Sequence, residues 1–239
     1  MRLVRLTVLA AVAVVLCVSP VAVANDRHGN GGGAVIAPAR GGGLSGGELL
    51  GEVWAQNLAL PASNDPFSGS CIPFARNVIA PHFDETGTAT CTATPRTRLF
   101  LFWGSFFSEL DPPFPTTEEA QLAEAVAADQ AIHELNVTVD NGRTINLVRR
   151  RFELFSPQRT VQLDDDNFYG VPARTVTFTA HAWGAVIRNL RPGQHTVTLE
   201  VVAPDFGDPF TVTTVLNVVR GGHSHDGDHG DHDHGHGHD

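Results

Sequence analysis

Between residues 135 and 219 apolar and polar side chains alternate through one short segment after another. Consecutive side chains of an extended chain point to opposite sides, so a period of two gives a strand one face for a core and one for water. LNVTVD (135–140) and RTINLV (143–148) flank Asn141-Gly142, the dipeptide that most favours a tight hairpin turn. Further segments lie at 152–155, 160–163, 175–187, 195–202 and 210–219, and the turn sequences RPG and PDFGDP separate the last three. Short strands at roughly ten-residue spacing predict a mainly β fold, a β-sandwich of immunoglobulin-like or jelly-roll-like type. We find no internal repeat.

The first half adds a buried strand and two short helices. In ELLGEVWAQNLALP (48–61), Leu49, Leu50, Val53, Trp54 and Leu58 fall near one helical face, and Pro61 stops the helix. The aromatic-rich RTRLFLFWGSFFSEL (96–110), with its apolar run Leu99–Trp103, predicts a strand buried on both faces. A second helix is predicted over 117–132. Thr116 and Glu119 have capping-box spacing there, and Leu122, Ala125 and Val126 form an apolar stripe that Asp129 interrupts. Residues 62–94, rich in Asn, Asp, Pro, Ser and Gly, read as a long loop with one short strand near 77–80.

The ends read differently. Arg2 and Arg5, the apolar run Val8–Val18 and Ala22-Val23-Ala24 have the layout of a secretory signal peptide over 1–24. The run is too short to span a bilayer comfortably. Leu16 before Cys17 departs from the small residue a lipoprotein needs there, so Cys17 is expected to leave with the peptide. Residues 25–47 are glycine-rich and read as a flexible leader. The folded domain is assigned to 48–220 and a disordered His/Asp/Gly-rich tail to 221–239, so the destination is secreted and extracellular. In an oxidising compartment the remaining pair, Cys71 and Cys91, predicts one disulfide closing a loop of about twenty residues.

Charge narrows the chemistry. All sixteen basic residues are arginine, so Schiff-base catalysis and a lysine-activated nucleophile are excluded. A net charge of −10 disfavours nucleic acid and anionic membrane as partners, and no membrane association is expected after signal cleavage. Arg149, Arg150 and Arg151 read as a solvated strand face rather than a phosphate site.

Several segments resemble a group of secreted bacterial β-sandwich proteins of actinobacterial type. SGGELLGEVWAQNLALPASNDPFSG is similar to their opening, which reads roughly W-x-x-W-A-L-S-x-P, then N-P, then a cysteine. CTATPRTRLFLF, LNVTVDNGRTI, FELFSP, DNFYG and WGAVIRNLRPGQHTVTLEV look like their later motifs, ending in L-x-P-G-x-H-T. The chain departs from the pattern where the second tryptophan of the opening would stand, near Leu58, and in lacking a tyrosine near Trp183. The resemblance implies a compartment, a fold and structural roles for Trp54, Cys91, Asp140, Asn167, Gly170 and His195. It implies no reaction.

Candidate metal ligands concentrate in the tail: His223, His225, His229, His232, His234, His236 and His238, interleaved with five aspartates. Residues i and i+2 of an extended chain lie on one side, roughly 7 Å apart, so H-x-H steps can converge on one ion. Neutral imidazole suits Zn, Ni and Cu, and these divalent ions are the predicted partners. No cofactor is expected in the folded domain. In the body, His82 with Asp84 and Glu85 reads as loop decoration rather than a cation site. Asp164, Asp165 and Asp166 read as a strand-end turn without EF-hand spacing. His181 and His195 read as packed strand residues, though a Ser/His/Asp relay is a spatial arrangement that sequence cannot exclude. Ser45 sits in GLSGG, a chance G-x-S-x-G without a preceding strand. Phe100, Phe102, Trp103, Phe106 and Phe107 read as core rather than a carbohydrate platform. The leading expectation is a secreted non-enzymatic protein with a metal-binding tail. The alternatives are an extracellular cell-surface or polysaccharide-binding module and a secreted hydrolase with a loop-assembled site.

Overall fold

The computed structural model describes residues 33–61 and 68–220. Strands β1 (Val35–Pro38), β2 (Arg40–Gly41) and β3 (Leu44–Ser45) precede helix α1 (Gly46–Ala59). Strands β4 (Ser70–Ala75), β5 (Val78–His82), β6 (Thr88–Ala93) and β7 (Arg98–Ser108) lead to helix α2 (Glu118–Asp129). Next come β8 (Glu134–Val139), β9 (Ile145–Asn146), a 3-10 turn at Arg150–Phe152, β10 (Glu153–Phe155) and β11 (Arg159–Leu163). The chain closes with β12 (Arg174–Arg188), β13 (Gly193–Val202), a 3-10 turn at Pro204–Phe206 and β14 (Phe210–Val218).

The fold is a β-sandwich. Its first sheet runs β1-β12-β7-β5-β4 and its second β6-β14-β13-β8-β9. β12 is the spine of the first sheet. One edge pairs with β7 from Phe178–Ser108 to Ile187–Leu99, and the other takes β11, β10 and β1 in succession. Period-two alternation then divides the side chains. Leu99, Leu101, Ala185 and Ile187 meet Val137, Val197, Leu199 and Leu216 of the second sheet. From the opposite face, Phe100, Ala180, Ala182 and Val186 pack on Leu49, Leu50 and Val53 of α1. The first sheet is therefore the middle layer of three, which is why β7 lacks a polar face.

α1 lies very close to β10. A Cβ at Gly47 would overlap the carbonyl oxygen of Phe155, so the second glycine of the SGG run is a packing requirement. Ser45 caps the helix: its Oγ accepts from Glu48 N at 3.4 Å, and Glu48 Oε2 accepts from Ser45 N at 2.7 Å. The bonds from Ser45 hold the Glu48 carboxyl below the usual carboxylate range.

Several elements differ from the sequence expectation. The 33–47 part of the stretch read as a flexible leader is built into the fold, because Val35–Pro38 has apolar side chains and pairs with β12 over Ala185–Arg188. Residues 1–24, read as a signal peptide, and residues 25–32 lie outside the described residues. The short strand expected near 77–80 is β5, but the long loop around it also contains β4 and β6. In β4 and β6 the alternation is masked by proline and threonine, and these strands are organised by pairing with β5 and β14. At the predicted hairpin the left-handed residue is Asp140 (φ 53°) rather than Asn141 or Gly142, and β9 pairs over only two positions. Arg149–Arg151 is exposed, with Arg149 extended at the cap and Arg150 and Arg151 in a 3-10 turn rather than a strand. α2 is capped by Thr117, one residue later than expected, and ends at Asp129. Of the expected stripe Ala125 is buried, but Gln121 and Asp129 are buried with it while Leu122 and Val126 are only half-buried.

Cys71 and Cys91 form the predicted disulfide, with Cα atoms 5.2 Å apart. Cys71 lies on β4 of the first sheet and Cys91 on β6 of the second, so the bond ties the two layers together. Loop closure over this separation contributes about 3 kcal/mol in the chain-entropy model. Replacing both cysteines with alanine is expected to lower unfolding free energy by that amount in guanidinium titration, with the native β circular dichroism retained.

Candidate functional site

The densest polar chemistry in the body lies under α2. β7 and β12 extend beyond the second sheet, and α2 covers the inner face of their overhang. There the inward positions change from Leu99 and Ile187 to Ser105, Thr179 and His181. α2 answers with polar side chains. Gln121 is fully buried: its Nε2 donates to Pro115 O and to the Thr177 carbonyl and hydroxyl, and its Oε1 accepts from Thr179 Oγ1 and Gln158 Nε2.

Two turns further on, Asp129 sits 1 % exposed. Its carboxylate accepts from Ser105 Oγ at 2.6 Å, Ser105 N at 3.1 Å and His181 Nδ1 at 2.7 Å. A buried carboxylate is tolerable when several donors replace its water, and these three do so. On the other side of the imidazole, His181 Nε2 lies 3.4 Å from Glu153 Oε1. The rings of Trp183 and Phe155 close over His181 at 4.9 and 5.2 Å.

This is a serine, an aspartate and a histidine in contact, but the order differs from a nucleophilic relay. Such a relay needs the imidazole on the hydroxyl and the carboxylate behind it. Here the carboxylate stands between, Ser105 Oγ donates to it, and the free side of His181 meets Glu153 instead. The arrangement anchors α2 to β7 and β12.

The other singled-out residues also have local partners. His195 Nδ1 is 2.9 Å from Asp140 Oδ2 and its Nε2 is 2.8 Å from Arg191 O, while Asp140 Oδ1 accepts from Thr196 N. The pair braces the left-handed turn at Asp140. His82 is buried and its Nε2 donates to Asn57 Oδ1 of α1 at 2.8 Å. Asp84 accepts instead from Thr86 and Thr88, so His82 and Asp84 serve different elements. Those bonds hold the Asp84 carboxyl below its usual range. Asp164–Asp166 does form a turn at the end of β11, centred on buried Asn167, whose Oδ1 accepts from Tyr169 N and Val171 N. Gly170 follows at φ 62°. Phe102 and Phe106 pack against Trp54, Phe100 stacks on Phe102, and Trp103 packs on Phe210.

Among the described residues, no group of three or more His, Cys, Asp or Glu side chains is arranged to hold a metal ion. The seven tail histidines, His223 to His238, lie outside the described residues. The chain matches no protein-family model, and neither a curated protein nor a solved structure matches it significantly.

Sequence reasoning missed Ser105, Gln121 and Glu153. The one available signal was Asp129 itself, a carboxylate interrupting an apolar stripe. Removing it strands a buried imidazole and two donors. Asp129→Ala is therefore expected to cost about 3 kcal/mol or more in urea unfolding, against about 1 kcal/mol for Ser105→Ala. His82 gives a pH test. Burial lowers its pKa in the folded protein, so at mildly acidic pH the unfolded chain binds the extra proton. Its contribution is present above the unfolded value of about 6.5 and is lost as pH falls through the folded value. His82→Gln, followed by thermal unfolding between neutral and mildly acidic pH, should flatten this part of the stability profile.

Proposed function

We propose that this is a secreted, non-enzymatic β-sandwich protein whose C-terminal segment, residues 221–239, binds a divalent transition metal. The observation that carries the reading is the density of donors: seven histidines and five aspartates in nineteen residues, several in H-x-H steps. Imidazole nitrogens with interleaved carboxylates form a first shell for Zn, Ni or Cu without a scaffold, at the cost of ordering the segment. The resemblance to secreted bacterial proteins and the layout of residues 1–24 support export. So does the disulfide, which persists in an oxidising compartment. The histidines at 82, 181 and 195 are engaged in structural hydrogen bonds, which leaves the tail as the richest set of donors.

Calorimetry of the full chain with zinc, nickel and copper at neutral pH should give roughly micromolar affinity, reflecting the ordering penalty of a segment that folds on binding. Changing all seven tail histidines to glutamine should weaken it at least tenfold. Equal affinity in that variant would place the site elsewhere and end the reading.

One observation favours a second reading, a surface-binding module. Phe114 and Phe168 are 60 % and 67 % exposed, next to Asp111 and Tyr169, whose hydroxyl donates to Asp111 Oδ2 at 3.0 Å. Exposed rings beside polar groups suit stacking on a sugar face. In a polysaccharide pull-down this reading requires retention that Phe114→Ala and Phe168→Ala together abolish.

A further inference from the structure

At the end of the sandwich opposite the Asp111–Tyr169 cluster, Asn77, Pro95, Arg96, Thr97, Arg98 and Arg188 line an open cleft of about 370 Å³, with Asn189 at its rim. Three arginines line it, and among the described residues no carboxylate does. In the β7–β12 ladder Ile187 faces Leu99, so Arg188 and Arg98 oppose each other at the next step. Like charges directly across two strands repel and are normally relieved by a neighbouring acid. Among the described residues none of the three arginines makes a salt bridge.

Backbone hydrogen bonds frame the cleft. Arg96 stands in the turn Thr94–Thr97, closed by Thr97 N donating to Thr94 O at 2.9 Å and set by Pro95. Arg98 N donates to Asn77 O at 2.8 Å. Asn77 and Asn189 hold left-handed conformations at φ 56° and 61°. The forked donors of arginine match a carboxylate or other oxyanion, and preorganised donors bind it at low entropic cost.

A source of carboxylates begins beside this cleft. β6 and β14 run parallel, Val218 is in register with Ala93, and Val219 N donates to Ala93 O at 2.8 Å. Arg220 therefore follows Ala93 closely in space, two residues before Pro95 of the cleft. Residues 221–239 continue from that point with five aspartates and no lysine or arginine. Nineteen residues reach up to roughly 60 Å when extended, and a tether of this length holds its charges near the cleft at millimolar effective concentration.

We propose that the cleft of Arg96, Arg98 and Arg188 is an oxyanion-binding site whose resident ligand is the aspartate carboxylates of residues 221–239 of the same chain. This pairing is independent of metal and is tested without it. In ¹H–¹⁵N spectra of the full chain in metal-free, low-salt buffer, D226N/D228N/D231N/D233N/D239N should displace the amide resonances of Asn77, Thr97 and Asn189. High salt should displace those of the unmodified chain in the same direction. Inorganic phosphate should then shift these three amides in the five-asparagine variant at several-fold lower concentration than in the unmodified chain, because the aspartates no longer compete. Unmodified and variant spectra that coincide at these residues at low salt would overturn the proposal. Equal phosphate titrations of the two proteins would also overturn it, by making the cleft a site for external anions only. R96Q/R98Q/R188Q adds a check from the other side: the tail resonances should lose their salt dependence. The aspartate variant decides the matter even where the triple variant does not fold.

Discussion

The pairing of β7 with β12 is the interaction on which the rest of the molecule depends. Ten consecutive residue pairs join the two strands, and both are covered on both faces. One face closes the sandwich against the second sheet and the other receives α1. Burial on two sides makes every residue of these ten pairs a packing residue, and this removes the freedom to slip in register: a one-residue shift would exchange the side chains meant for α1 with those meant for the second sheet. The remaining strands attach to this pair. β11, β10 and β1 divide the free edge of β12 among them, and the disulfide brings β4 and β6 of the two layers together.

Where β7 and β12 outrun the second sheet, the molecule changes its means of packing. α2 takes the place of strands, and the contact becomes polar. Gln121 and Asp129 are spaced so that both face the overhang, with Ala125 between them allowing close approach. An apolar stripe could slide by a turn and still be buried. Asp129 cannot, because displacement from Ser105 and His181 would leave a buried carboxylate without donors. The buried network thus specifies where the helix sits. The same residue types that in another order would make a nucleophile are here joined through the carboxylate, and their chemistry is spent on position.

Much of this was legible in the chain. The alternation after residue 135 marked β8, β10, β11, β13 and β14 closely, since each has one buried face and its pattern reports that directly. The aromatic run 99–103 announced a strand buried twice over. Signals that depend on context were harder to read. The S-x-x-E cap at Ser45–Glu48 was present in the sequence but masked by the glycines around it. β4 and β6 carry cysteine, proline and threonine where apolar residues would advertise strands, and pairing with β5 and β14 makes them extended. The Arg96–Arg98–Arg188 cleft was invisible, because its members lie far apart in sequence and converge through the register of β7 and β12.

Composition and local pattern therefore determined the class of the fold, the disulfide partners and the concentration of histidine and aspartate at 221–239, because these follow from residue type and short-range spacing alone. Tertiary structure decided which serine, histidine and carboxylates would meet, in what order, and which arginines would face each other. Those outcomes depend on strand register and on the length by which two strands exceed a third, quantities set by packing over the whole core rather than by any one segment.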